Sequence, residues 1–195
     1  PYDRHIVSGL YGDFYSQSGG PIDFEENLLQ AKRVELNITG EDNFYAAGMW
    51  ANISSHNKIK AGEVIMDVKA EYADAHGMAA EVTEVTVGGP GFNTITAGKV
   101  LIEAESANGA AYGMKAYNHT GGRGTAGGSG NLITSEGALE LTITASAGSG
   151  LAYAMYAVSP GGGPMARPSR IGKDLRSTAP PASPCSVLNA FLAFP

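Results

Sequence analysis

Much of what usually carries chemistry is scarce in this sequence. One cysteine, Cys185, stands in 195 residues, so no internal disulfide framework can form and no cysteine-rich metal site is available. Charged residues make up only 16% of the chain, and the net charge of −6 argues against a basic face for nucleic acid or anionic lipid. No apolar run approaches the roughly 18 residues that cross a bilayer as a helix, so no membrane insertion is expected. Helical periodicity is nearly absent as well. Ile22–Arg33 is the one passage where a helical turn or two competes evenly with a loop leading into a strand. The chain begins at Pro1 with neither an initiator methionine nor a signal peptide, and is expected to be a processed or excised piece.

What the sequence does have is repetition. Asn57–Ala80 and Asn93–Ala116 match as N-x-I-x-A-G-x-V-x-[MI]-[DE] and end in Gly-Met-x-Ala. In both, the asparagine precedes the glycine of Gly-Met by 20 positions (77 − 57 and 113 − 93). A looser copy runs from Asn131 to Ala157, with one residue inserted before Gly137 and Ala154-Met155 in place of Gly-Met. A partial copy occupies Arg33–Ala51. Twenty-seven glycines and abundant Ala, Ser and Thr suit an all-β chain of short strands and turns.

Within each copy the apolar period is 2, the strand period. Val34, Leu36 and Ile38 are expected to align with Val64, Met66 and Val68, then Val100, Ile102 and Ala104, then Leu139, Leu141 and Ile143. Their outward neighbours Asn37, Asp67, Glu103 and Thr142 are polar in every copy, which marks a solvated face. From the first residue of each triplet to the Gly-Met position the spacing is 14, 13, 13 and 15, whereas the stretch after Met varies and is Gly-rich. Constant strand spacing with variable loops at one corner predicts a parallel solenoid of about three and a half coils over residues 34–158. Residues 1–33 are expected to form an N-terminal cap, residues 34–160 the repeat domain, and residues 161–195 a Pro-rich, disordered tail holding six of the ten prolines from Pro164 on. The C-terminal edge, around Leu139 to Ala157, is expected to be weakly covered.

Asn93, Ile95, Gly98, Val100 and Ile102, followed by Ala111-Tyr112-Gly113-Met114-Lys115-Ala116, resemble the passenger regions of bacterial autotransporters, as do their counterparts from Asn57 to Ala80. The resemblance covers about residues 34–158. It implies a right-handed parallel β-helix exported to the Gram-negative cell surface, serving in adhesion or as a stalk, with a glycan or protein of a host or neighbouring cell as partner. Neither the outer-membrane barrel nor an inserted catalytic domain of such proteins is present in this sequence.

The candidates for chemistry are few. Asp67 and Glu103 align in adjacent copies, so one carboxylate would sit about 5 Å above the other on the outer face; such a pair is the alternative reading, a small polysaccharide lyase or hydrolase of the parallel β-helix type. The competing explanation is an ordinary solvated strand face. His5, His56, His76 and His119 lack metal-ligand spacing, and Gly121–Gly124 lacks the Gly-Lys-Ser/Thr of a phosphate loop. No enzyme, metal or cofactor is expected. Recognition falls to aromatics near the Ala-Gly-Met strand: Trp50, Tyr112, Tyr117 and Tyr153, with Tyr45, Tyr72 and Tyr156 nearby. Pointing outward they would form a ladder for glycan or protein, and pointing inward they would be core.

Overall fold

The computed structural model describes residues 5–13, 25–42, 44–52, 55–82, 91–118, 130–158 and 170–171. Along them the chain passes alternately through two parallel sheets. Sheet A runs in the order β1 (Ile6–Asp13), β3 (Tyr45–Asn52), β5 (Ala75–Val82), β8 (Ala111–Asn118) and β11 (Ala152–Val158). Sheet B opens on two long strands, β2 (Glu25–Gly40) and β4 (Ser55–Ala70). The same stretch is then divided, into β6 (Phe92–Thr96) and β7 (Lys99–Ser106), and next into β9 (Gly130–Thr134) and β10 (Glu140–Ala147). A two-residue strand, β12 (Arg170–Ile171), pairs with β9. Every pairing is parallel. The fold is all-β and solenoid-like.

The core lies between the sheets and is a set of columns. In sheet B, Ile59, Ile95 and Ile133 stack in register, as do Val34, Val64, Val100 and Leu141. All of these are buried. In sheet A, Leu10, Met49, Met78, Met114 and Met155 form the facing column. Methionine suits that place because its unbranched thioether fills irregular gaps.

Beside the methionines runs a column of glycines, set by contact rather than by dihedral angle. A Cβ on Gly77 would lie 2.3 Å from the Gly113 carbonyl oxygen and 2.5 Å from Ile102 Cγ2. A Cβ on Gly113 would meet the Ala154 carbonyl at 2.5 Å and Ile143 Cγ2 even closer. Real Cβ atoms do not come so near, so the approach of successive coils depends on these missing side chains.

At the corner entering sheet B the aligned asparagines form a buried ladder. Nδ2 of Asn27 donates to Oδ1 of Asn57 (3.0 Å), Asn57 to Asn93 (2.8 Å) and Asn93 to Asn131 (2.8 Å). Each also donates to a main-chain carbonyl of the sheet A strand that follows it in the chain: Trp50, Ala79, Lys115 and Tyr156 respectively. An amide with two N–H groups and one oxygen can serve both a vertical and a lateral partner, which neither Asp nor Leu could do. That accounts for the asparagine that opens each repeat.

Three expectations change. Leu141, Ile143 and Ala145, not Leu139, Leu141 and Ile143, pair with Val100, Ile102 and Ala104. The cause is a longer loop, six positions from Thr134 to Glu140 against three from Thr96 to Lys99. Thr144 therefore stands beside Glu103, in the place expected for Thr142. Residues 25–33 are neither helix nor loop but the first half of β2, which continues unbroken across the expected boundary at 33/34. The described part of segment 1–33 contributes β1 and half of β2 as a further coil in the same register as the repeats. Of the segment 161–195, only residues 170–171 are described. The remaining tail, including Cys185 and Val187–Phe194, lies outside the described residues, as do His119, the loop at 119–129, and Tyr2, Phe14, Tyr15, Ile22 and Phe24.

Candidate functional site

Sheet A has a second side, turned away from the methionine core, and the aromatic residues gather there. Parallel register places Ala47, His76, Tyr112 and Tyr153 in one column and Trp50, Ala79, Lys115 and Tyr156 in a second. The rings of His76 and Tyr112 stack at 5.1 Å and 9°, and those of Tyr112 and Tyr153 at 5.8 Å and 13°. Because Ala47 leaves a gap below His76, Tyr45 lies over the imidazole at 6.4 Å and Trp50 meets it edge-on at 5.1 Å. In a parallel sheet, identical positions repeat at about 4.8 Å, a spacing close to that of stacked rings.

An ion pair lies inside this cluster. Lys115 Nζ is 2.6 Å from Glu81 Oε1, with the two side chains 14% and 1% exposed. The same ammonium is 4.8 Å from the Tyr112 ring centre and 5.9 Å from that of Tyr117. Ring faces are negative, so the cation is held by two tyrosines as well as by the carboxylate. Burial pushes the Tyr112 phenol well above its usual range, with Asp74 and the neighbouring tyrosines adding to the rise. Burial also raises Tyr156, helped by Tyr117 and Tyr153. Both phenols stay protonated at neutral pH. The arrangement offers neutral hydroxyls, ring faces and one cation paired with a carboxylate, groups that can bind a ligand by stacking and hydrogen bonding.

The four aromatics singled out in the sequence do not share one environment. Trp50 is 2% exposed and packs with Ala47 and Ala79 in a small second core. Tyr112 is buried at 8%. Tyr117 and Tyr153 are half-buried; Tyr117 stacks on Tyr156 at 6.4 Å, and Tyr153 lies 5.0 Å from the Tyr156 ring. The accessible part is thus Tyr117, Tyr153 and Tyr156, at the C-terminal end of the stack, over a floor of Tyr112 and Lys115. Tyr72 stands apart in an exposed turn. Lys115 and Glu81 were not singled out from the sequence. The signal for Lys115 was its place in Gly-Met-x-Ala, where other copies have Trp50 and Tyr156.

Asp67 and Glu103 do come to adjacent strands in register. They stand on the solvated face of sheet B, and Lys69 Nζ lies 3.0 Å from Asp67 Oδ2. Hydrogen bonding and charge from Asp67 raise the pKa of that lysine, with Glu105 and Glu103 adding smaller contributions. An open groove does cross sheet B at its bend, past Gln30, Lys60, Thr96, Gly98 and Ser135, but neither acid lines it. His5, His56 and His76 pack separately, on Phe44, on Phe92 and in the sheet A cluster. Among the described residues, no group of three His, Cys, Asp or Glu side chains could hold a metal ion. No helix there is long and apolar enough to cross a membrane. No protein-family model matches the chain, and no match to it is found among curated proteins or solved structures.

Proposed function

We propose that this chain is a non-catalytic, surface-displayed β-solenoid, part of an autotransporter passenger, acting in adhesion or as a structural stalk. Its contact surface is the tyrosine cluster at the C-terminal end of sheet A, and its partner a glycan or protein of a host or neighbouring cell. The observation that carries this reading is the use made of the repeated positions. Asparagine, glycine, methionine and the apolar triplets are all taken up by columns that hold one coil to the next. What differs between copies, and so is available for recognition, is the outer side of sheet A.

The finer architecture is a right-handed parallel β-helix. Successive strands of each sheet are joined by a crossover through the other sheet, and parallel crossovers are right-handed in about 98% of cases. The resemblance of Asn93–Ala116 to autotransporter passengers supports the same architecture and a location outside the cell. The carboxylate pair favours a structural role, because Lys69 already neutralises Asp67 on an exposed face.

The test is a screen of the purified chain on glycan and matrix-protein arrays, repeated with Tyr153→Ala and Tyr156→Ala. Selective binding that these substitutions abolish supports the proposal, while Asp67→Asn leaves binding unchanged. Breakdown of an acidic polysaccharide that is lost in Asp67→Asn would replace it with the lyase or hydrolase.

A further inference from the structure

The bend of sheet B carries an open groove that the stacking of the coils leaves unfilled. The Ala-Gly of the repeat puts only small residues on its floor, Ala61-Gly62 and Ala97-Gly98, with Ala31 in register beside Ala61. Its volume, about 870 Å³, lies within the range of clefts that hold small ligands.

The charges at this groove differ from those at the other described positions. Among the lysines and arginines whose side chains are described, Arg33, Lys58, Lys69, Lys99 and Lys115 each pair with a carboxylate. Lys32 and Lys60 have no such partner among the described residues, and both line the groove. Edge protection accounts at most for Lys32, because β2 is an edge strand among the described residues and an edge lysine discourages pairing with another chain. Lys60 lies inside the sheet, between Gln30 on β2 and Thr96 on β6. An anionic group entering here would meet two ammonium groups without first breaking an ion pair. At the far end of the groove stands Glu136, in the loop between β9 and β10. One end is thus cationic and the other anionic, which suits a ligand with one acidic end and a neutral remainder.

The main-chain groups that an extended peptide would need are already taken up along the floor. The Gly98 N–H is given to the Gly62 carbonyl, the Ala97 N–H to the Thr134 carbonyl, and the Gly98 carbonyl accepts from Glu140. What the groove offers instead is the Gln30 amide and the two ammonium groups, partners for hydroxyls and for a carboxylate or sulfate.

We propose that this groove binds a glycan carrying one acidic sugar. The acid lies on Lys32 and Lys60, and the neutral sugars run over Gly62 and Gly98 toward the loop between β9 and β10. The site is on sheet B and works without the tyrosine cluster of sheet A.

Isothermal titration calorimetry on the full chain tests this, with each variant's fold checked by circular dichroism. The probes are a neutral trisaccharide, its analogue ending in glucuronic acid and its analogue ending in a sulfated sugar. At least one acidic analogue should bind about tenfold or more tighter than the neutral parent, and the tighter of the two identifies the acid. Lys60→Gln and Lys32→Gln should each weaken that binding about tenfold, while Lys60→Arg should retain most of it. Lys58→Gln removes the same charge from the same strand, but from a lysine already paired with Glu26, and should leave binding unchanged. An analogue acidic at both ends should bind more weakly than the singly acidic one, and Glu136→Gln should remove that difference. The proposal is overturned if no acidic analogue binds at millimolar concentration, or if the neutral parent binds as well. It is also overturned if Lys58→Gln weakens binding as much as Lys60→Gln, or if the doubly acidic analogue binds as tightly as the singly acidic one. Loss of binding in Tyr153→Ala would overturn it too, by placing the acidic sugar on the tyrosine cluster.

Discussion

In sheet A, Ala46 to Ala51 are buried without a break, while in sheet B, Lys99 to Ser106 alternate between covered and open positions. The same chain builds both sheets, coil after coil, under the same parallel pairing. What differs is how many faces are covered. Sheet B has its core on one side and water on the other, so its strands are wide, alternating and tolerant outside, and their outer columns hold ordinary ion pairs. Sheet A is packed on both sides, so the outward residue is as constrained as the inward one. Glycine and alanine set the closeness of the coils there, and the few large side chains must stack on one another. A two-sided sheet gives up alternation and becomes readable only through its small residues.

That comparison predicts unequal responses to the same small change. In sheet A, Gly77→Ala would set a methyl 2.3 Å from a backbone oxygen that β8 cannot move without breaking its own pairing. The loss should lie at or above the upper end of the about 1–3 kcal/mol that overpacking costs, read from the urea midpoint. Loss below 1 kcal/mol (about the lower bound of that range) would mean that the sheets slide apart more easily than the glycine column implies.

The junction between the sheets comes second. Asn93→Ala removes the acceptor for Asn57 and the donor to Asn131 and to the Lys115 carbonyl, all buried or nearly so. Buried polar groups left without partners cost about 1–3 kcal/mol each before local relaxation, so a loss of about 2–3 kcal/mol is expected. At the edge of the stack, Asn27→Ala breaks only one link to a neighbouring asparagine and should cost about half as much. Equal losses at the two sites would show that the ladder does not act as a column.

Smaller again is an effect of pH confined to sheet B. His56 Nδ1 accepts the Phe92 N–H at 3.2 Å, and its ring lies on Phe92 at 5.5 Å. Burial holds its pKa below the usual 6.5, Lys58 pushes the same way, and Glu26 opposes them. The unfolded chain therefore takes up the proton first. Stability from this site is complete above pH 6.5, is lost as the pH falls from there toward the folded pKa, and levels off below it. Urea midpoints just above and just below that value should differ for the wild type and move together in His56→Gln. A midpoint that rises on mild acidification would reverse the sign and remove the argument.

The sequence made the inward triplets of the first three coils legible because period 2 and the repeat agreed on Val34, Val64 and Val100. It misplaced the last triplet for a physical reason. A slip of one residue turns every side chain to the wrong face, but a slip of two leaves the pattern intact, and Leu139, Leu141, Ile143 and Ala145 alternate equally well in either register. The spacing to the Gly-Met position held the answer, since Leu141 to Ala154 is 13 (154 − 141), as in the two clear copies. The part of the stack before Arg33, β1 and the first half of β2, was concealed by substitutions. Lys32 stands where Gly62 does in the next copy, and Leu10 replaces methionine, so Asn27-Leu28-Leu29 and Ser8-Gly9-Leu10 did not resemble the repeat. The side on which the tyrosines gather was not legible at all. With both faces of sheet A covered, no alternation separates inward from outward, and only the register of Tyr112 with His76 and Tyr153 shows a column.

The smallest effect returns to glycine, in sheet B. Gly98 sits between β6 and β7, where an added Cβ would find the Gly62 carbonyl at 3.5 Å and the Ala138 carbonyl at 3.8 Å, both ordinary contacts. Its N–H donates to the Gly62 carbonyl and its own carbonyl accepts from Glu140, bonds that a methyl leaves untouched. Its backbone is outside the left-handed region, so an L side chain brings no strain. Gly98→Ala then acts mainly on the unfolded chain, which loses conformational freedom it would otherwise regain, and the expected result is a gain of about 0.4–1 kcal/mol. Thermal melting of Gly98→Ala beside Gly77→Ala gives the cleanest contrast between the sheets, one methyl raising the midpoint and the other lowering it. If Gly98→Ala is as damaging as Gly77→Ala, glycine in this chain serves the backbone of both sheets alike, and the distinction between a one-sided and a two-sided sheet does not govern where it is required.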